Sequence, residues 1–131
     1  MFEVLGTDSN DAAAGSVRFK TPLATLHAFN GWADVFLATP AKGLRDAYGF
    51  VQVTVPGDVP LRLVYHSYEA DNGGADFGQE WDVVASKKFG KNWTVLTKYA
   101  YYDGKDALGS LGAPAVPFDK HLFWAQVEFN F

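Results

Sequence analysis

Cysteine is absent from the chain, which excludes a disulfide framework and any thiolate chemistry. Long apolar runs are also absent, because no stretch approaches the roughly 18 apolar residues that a membrane-spanning helix needs. Basic residues are few: 11 Lys and Arg stand against 15 Asp and Glu, for a net charge of -4. A nucleic-acid-binding protein would carry a basic stripe, so the composition argues against that class.

The first residues do not match the pattern of a targeting leader, because Met1 is followed by Phe2, Glu3 and Val4 with no basic start and no long apolar segment. The length of 131 residues suits one domain, and the aromatic content of 16% with 13 Gly favours strands and tight turns. The mean hydropathy is only -0.08, but alternation of apolar and polar residues cancels in such an average.

The last nine residues alternate with a period of two. One face is wholly apolar, whereas the other, formed by Trp124, Gln126, Glu128 and Asn130, is mostly polar. A transmembrane β-strand needs this pattern, with apolar residues facing lipid and polar residues facing a lumen. We therefore predict a strand that runs to the last residue, and we expect its apolar face to be the signal read by the barrel assembly machinery. That face consists of Phe123, Ala125, Val127, Phe129 and Phe131. The predicted signal is its four large apolar residues, Phe123, Val127, Phe129 and Phe131.

The same alternation predicts four more full strands, near residues 46–55, 61–68, 79–89 and 93–102, and the end of another in residues 1–6. A three-residue loop at 90–92 keeps both apolar stripes on one face and sets the register of its hairpin. That register pairs Phe89 with Trp93, Trp81 with Tyr101 and Val83 with Tyr99. Residues 7–44 are predicted to be a long extracellular loop, and residues 45–131 are predicted to hold the five strands.

The connections alternate in length, with short ones at 56–60 and 90–92 and long ones at 7–44, 70–77 and 103–118. Outer-membrane barrels place short turns in the periplasm and long loops outside. We therefore expect an all-β, antiparallel transmembrane β-barrel in meander order. A closed barrel needs at least eight strands, so we expect the chain to be the carboxyl-terminal part of a larger barrel with an upstream leader.

The longest connection holds the one predicted helix, over residues 31–37, with Asn30 as its cap. Two interpretations of this segment remain: it folds inward and constricts a pore, or it packs against the wall. The candidate constriction residues are Phe29, Trp32, Asp34 and Phe36.

Several short segments of the sequence resemble the carboxyl-terminal region of the alginate-export family of outer-membrane porins. The resemblance is carried by residues 2–6, 19–34, 39–40, 43–46, 65–66, 80–82, 87–91 and the terminal Phe131, with Phe29-Asn30-Gly31-Trp32-Ala33-Asp34 as its most specific part.

The resemblance implies a barrel of about 18 strands, within the range of bacterial outer-membrane barrels, and a passive diffusion pore. The expected partners are outer-membrane lipid, the assembly machinery and a small solute or oligosaccharide, without nucleic acid, cofactor, metal or enzymatic activity. The family takes its name from an exporter of an anionic polysaccharide. The predicted lumen has both signs of charge, its candidate lining residues being Arg62, His66, Glu80, Asp82, Lys88, Lys98 and Glu128.

Other functions were weighed from the residues. His66, Ser67 and Asp46 suggest a hydrolase triad, but the alternation puts Ser67 on the face opposite His66. Asp71, Asn72 and Asp76 suggest a calcium loop, although their spacing fits no dedicated motif and a plain turn is favoured. The alternative functions are a small soluble β-barrel carrier of a lipophilic ligand and an outer-membrane barrel that does not conduct.

Overall fold

The computed structural model describes residues 1–7, 19, 30–106 and 117–131. Its six strands form one antiparallel sheet in chain order, a meander, and the described residues contain no helix. It follows that none of the described segments is a helix long and apolar enough to cross a membrane. The strands are β1 (Phe2–Leu5), β2 (Leu44–Val55), β3 (Val59–Glu69), β4 (Asp76–Phe89), β5 (Trp93–Asp103) and β6 (Asp119–Phe129).

The register predicted for the β4–β5 hairpin is confirmed. Phe89 lies opposite Trp93, Trp81 opposite Tyr101, and Val83 opposite Tyr99. The connecting turn is residues 90–92, and Gly90 has φ of 63°, a left-handed conformation that glycine adopts without steric cost. Turn length and side-chain alternation were therefore sufficient to fix this pairing.

The predicted end of the last strand is wrong. β6 begins at Asp119, before the predicted Phe123, and ends at Phe129 rather than Phe131. Phe129 pairs with Trp93, the first residue of β5, so no strand residue lies opposite the chain beyond it. The backbone N–H of Asn130 instead donates to the carbonyl oxygen of Asn92, a turn residue, at 2.9 Å.

The helix predicted over residues 31–37 is also wrong. These residues form bends and irregular backbone, in which Asn30, Gly31 and Asp34 have φ of 51°, 86° and 55°. A right-handed helix requires φ near -63°, so this segment cannot propagate one. Its backbone finds a hydrogen-bond partner in the sheet instead, as the Ala33 N–H donates to the Glu80 carboxylate.

The two faces of the sheet differ in their side chains and in their exposure. Along β2 to β6 the odd-numbered positions, except Phe77 at the irregularity where β3 meets β4, form what we call the apolar face. This face is largely exposed, with Val51 at 61%, Phe123 at 67% and Val127 at 64%. The even-numbered positions, together with Glu3 and Leu5 of β1, form the polar face. Residues 30–43 pack on part of the polar face and bury Asp46, Glu80 and Asp82 there.

Gly78 offers a test of the backbone at the irregularity where β3 meets β4. It has φ of 110°, and a Cβ there would collide with the carbonyl group of Asp103. Gly74 also has positive φ, but a Cβ there would meet open space. A residue held in an unfavourable backbone conformation costs of order 1–3 kcal/mol. We therefore expect Gly78→Ala to lower the unfolding free energy by about that much more than Gly74→Ala. Urea unfolding in detergent, followed by circular dichroism, measures both, and equal losses would contradict the predicted clash.

Candidate functional site

Four titratable side chains meet on the polar face, and we call them the polar cluster. Asp46 comes from β2, His66 from β3, and Glu80 and Asp82 from β4. His66 lies directly opposite Glu80 across the sheet, and Asp82 follows Glu80 by two residues, which places all three on one face. All four are buried.

The His66 imidazole contacts two carboxylates and two tyrosine rings. Its Nδ1 lies 2.9 Å from both carboxylate oxygens of Asp46, and its Nε2 lies 3.6 Å from Oδ2 of Asp82. The rings of Tyr48 and Tyr68 stack on it, with centroids at 5.0 and 5.5 Å. One imidazole therefore bridges carboxylates from two different strands and has a fixed orientation.

Glu80 joins the polar cluster to residues 30–43. Its Oε1 accepts a hydrogen bond from the backbone N–H of Ala33 at 2.7 Å, and its Oε2 accepts one from the Tyr68 hydroxyl at 3.5 Å. A Cβ at Gly31 would collide with both this carboxylate and that hydroxyl. The close approach of the 30–43 segment to the sheet therefore requires glycine at position 31.

Aromatic packing holds the same segment on the polar face. Phe36 is 3% exposed, and its ring centroid lies 4.4 Å from that of Tyr68, 5.9 Å from Tyr102 and 6.2 Å from Phe77. Since buried aromatic pairs contribute beyond their buried area, Phe36 is the main apolar anchor of the segment.

Three of the four predicted constriction residues lie in this segment. The Lys98 ammonium lies 4.9 Å from the centroid of the Trp32 ring, and the Lys120 ammonium donates to the Asp34 carbonyl oxygen at 3.4 Å. Phe36 is buried beneath them, whereas Phe29 lies outside the described residues. The segment thus spans from the cluster on β3 and β4 to β5 and β6.

The seven predicted lining residues all lie on the polar face but not in one environment. His66, Glu80 and Asp82 are buried under the 30–43 segment. Lys88 and Glu128 lie at the opposite end of the sheet, each paired with Thr94. Arg62 and Lys98 lie between these two groups, in register with Val84 on either side.

Arg62 borders a pocket of about 130 Å³ on the polar face. Its guanidinium carbon lies 4.2 Å from the centroid of the Phe50 ring, and its buried Nε has no hydrogen-bond partner in the described part of the chain. Glu3, Asp46 and His66 line the same pocket.

The residues predicted as an assembly signal lie on the exposed side of the sheet or just beyond it. Within β6, the odd-numbered positions lie on the apolar face, and Phe129 contacts Trp93 with a centroid distance of 4.7 Å. Phe131 follows the strand, 6.4 Å from Phe129 between ring centroids. All of them are exposed: Phe123, Val127, Phe129 and Phe131.

The weighed triad does not assemble. His66 and Asp46 are in contact, but Ser67 lies opposite Ala47 and Gln79 on the apolar face. The hydroxyl of Ser67 is therefore separated from the imidazole by the sheet.

The acidic residues of the weighed calcium loop bind basic side chains. Asp71 accepts from Arg45 at 3.1 Å, and Asp76 accepts from Lys105 at 3.1 Å, a hydrogen bond that raises the pKa of the Lys105 ammonium. Asn72 donates to the Thr7 carbonyl oxygen. Over residues 1–7, 19, 30–106 and 117–131, no three His, Asp or Glu side chains are arranged to hold a metal ion.

Sequence reasoning missed the polar cluster as a unit. It considered Asp46 as a site residue for the triad alone, and it treated Tyr68 only as an inward-facing strand position. The available signal was that even-numbered positions of three consecutive strands carry Asp46, His66, Glu80 and Asp82. The strand register was needed to bring them together, because period two alone does not say which rows of neighbouring strands are adjacent.

Comparisons of the chain with protein-family models, with curated proteins and with solved structures gave no match. Function is therefore argued from the geometry of the sheet and its two faces.

Phe36 tests how the 30–43 segment is held. Replacing a buried Phe by Ala typically costs about 3–5 kcal/mol, so we expect Phe36→Ala to release the segment from the sheet. Limited proteolysis in detergent should then cut between residues 30 and 43 much faster than in the unaltered protein. Leu37→Ala is the matched control, because Leu37 is 44% exposed. Equal cleavage of the two variants would show that Phe36 is not the anchor.

Proposed function

We propose that this chain forms part of the wall of a β-barrel in the outer membrane of a Gram-negative bacterium, and that the barrel is a passive channel for small polar or anionic solutes. The observation that carries the proposal is the inverted sheet. Glu80 and Asp82 are fully buried on one face, while large apolar residues such as Phe123 and Val127 are exposed on the other. Water as the surrounding solvent favours the reverse arrangement.

The apolar face is continuous across the strands. One row runs Val51, Leu63, Val83, Tyr99 and Phe123 from β2 to β6, each directly opposite the next. Contiguous apolar patches of this kind mark contact with a membrane or another protein. The charged Lys87 on this face lies near the 90–92 turn, with its ammonium 5.5 Å from the Phe89 ring, where a long side chain can reach the membrane–water interface.

Closure of the sheet follows from the cost of its edges. The described residues supply six strands, whereas a closed transmembrane barrel needs at least eight. Unpaired backbone groups in lipid cost several kcal/mol each, so an open sheet would not persist there. The proposal therefore includes further strands that pair with β1 and β6.

The proposed lumen is the polar face, and the 30–43 segment constricts it. This segment covers one end of the face, next to the 70–75 connection, while the short turns at 56–58 and 90–92 lie at the other end. On this proposal the short turns are periplasmic and the long connections extracellular. The proposal includes membership in the alginate-export family, because short segments of the sequence resemble that family. The arrangement described above is consistent with such membership.

A soluble carrier of a lipophilic ligand is the alternative function. It would turn its apolar face inward around the ligand. The packed face here carries Asp46, His66, Glu80 and Asp82, and the apolar face lies outside. If the protein stays monodisperse after detergent is removed, the membrane proposal is wrong and the carrier is favoured.

Two lysine substitutions on opposite faces test which one contacts lipid. Val83 lies on the apolar face between Leu63 and Tyr99, and Leu96 lies on the polar face between Ser86 and Gln126. Lys at a lipid-facing midplane position costs about 2–4 kcal/mol, whereas a wet lumen tolerates it. We expect Val83→Lys to reduce heat-modifiable, membrane-inserted protein and Leu96→Lys to insert nearly normally. The opposite ranking would reverse the assignment of the faces.

Charge reversal in the proposed lumen tests conduction. Lys98 lies on the polar face opposite Val84 and Trp124, beside the 30–43 segment. We expect Lys98→Glu to shift the reversal potential in a planar bilayer toward cation selectivity, because it replaces a positive charge by a negative one along the solute path. Lys91→Glu, in the exposed 90–92 turn, makes the same charge change outside that path and should have a smaller effect. Absence of any conductance in the reconstituted protein would contradict the channel.

A further inference from the structure

The 130 Å³ pocket on the polar face has charges of opposite sign at its two ends. Its wall includes Glu3 and Asp46 at one end, Arg62 at the other, and Tyr48, His66 and Trp32 between them. Because it lies under the edge of the 30–43 segment, a solute that passes the proposed constriction would meet it.

The negative end is incompletely neutralised. Glu3 of β1 lies directly opposite Asp46 of β2, and like charges directly opposite each other destabilise a sheet. Asp46 already has a partner, since Nδ1 of His66 lies 2.9 Å from its carboxylate. Glu3 receives the uncharged amide of Asn30 at 3.3 Å, so this end of the pocket retains a preference for a cation.

The positive end has a cation without a counter-ion. Within the described part of the chain, no carboxylate lies within ion-pair distance of Arg62, and its buried Nε has no hydrogen-bond partner. The Phe50 ring supports the guanidinium at 4.2 Å. A planar guanidinium held in this way matches a carboxylate with two parallel hydrogen bonds.

The strand register sets the length of a ligand that spans both ends. Glu3 and Asp46 lie in register with Tyr68, which follows Arg62 by six residues on β3, and this is about 20 Å between Cα atoms in an extended strand. The Arg side chain leans over Phe50 and shortens that span. At about 30 Å³ per water molecule, a volume near 130 Å³ corresponds to about four waters, so the pocket suits a small ligand.

We propose that this pocket binds a small zwitterion, with its ammonium at Glu3 and its carboxylate at Arg62. The inference deepens the proposed function, since access to the pocket rests on the polar face being a lumen. A simple anion would gain Arg62 but approach two carboxylates. A simple cation would gain Glu3 but leave Arg62 unpaired. A zwitterion satisfies both ends.

Titration calorimetry of the refolded protein in detergent micelles tests the proposal with three probes. Alanyl-alanine carries both charges, its N-acetyl derivative lacks the ammonium, and its carboxyl-terminal amide lacks the carboxylate. We expect each blocked probe to bind at least about tenfold more weakly, because each loses one charge-assisted interaction. Binding of the N-acetyl derivative as tight as that of the dipeptide, or no binding of the dipeptide, would overturn the proposal.

Variants assign the two ends. Arg62→Gln should make alanyl-alanine bind as weakly as its amide does, and Arg62→Lys should retain part of the affinity because the charge remains. Glu3→Gln should remove the advantage of the free ammonium. Arg45→Gln and Glu69→Gln are matched controls, since both residues lie on the apolar side of the sheet in register with each other. If a control variant lost as much affinity for alanyl-alanine as the pocket variant with the same charge change, net charge rather than this pocket would determine binding.

The binding and the conductance are measured separately. Conductance without dipeptide binding overturns the pocket but supports the channel. Dipeptide binding with the expected variant effects, but without conductance, supports the pocket and overturns the channel.

Discussion

The hydrogen bond from the Ala33 N–H to the Glu80 carboxylate is the interaction on which the arrangement of the polar face depends. Glu80 lies in the middle of β4, where the backbone groups are already paired with β3 and β5. A buried carboxylate without a donor is costly, and the sheet itself has no backbone donor to spare. The donor therefore comes from the 30–43 segment, which must descend onto the sheet to supply it.

The positive φ angles and the glycine at position 31 follow from that descent. The Ala33 N–H reaches the carboxylate from irregular backbone, in which Asn30, Gly31 and Asp34 take left-handed conformations. Phe36 then fills the apolar space between Tyr68, Phe77 and Tyr102. Polar satisfaction sets where the segment lies, and aromatic packing supplies most of the energy that keeps it there.

The sheet could be predicted from the sequence because its determinants are local. Period two fixed the strands, and a three-residue turn fixed the register of Phe89 with Trp93. The path of residues 30–43 could not be predicted, because its partners lie far along the chain: Ala33 and Glu80 are separated by 47 positions. The local signal, an Asn followed by Trp32 and Phe36 at helical spacing, pointed to a helix, and the tertiary contacts overrode it. The predicted end of β6 was wrong for a similar reason, since a strand ends where the neighbouring strand has no further residues to pair with it.

The constriction and the pocket are one structure rather than two. Asn30 and Trp32 belong to the segment that covers the polar face, and they also form part of the pocket wall beside Glu3 and Arg62. The segment is positioned by Glu80, and Glu80 lies directly opposite His66, which in turn contacts Asp46 at the negative end of the pocket. A substitution at Glu80 therefore affects Asp46 in the pocket through two contacts, that of Glu80 with His66 and that of His66 with Asp46, without any movement of the strands.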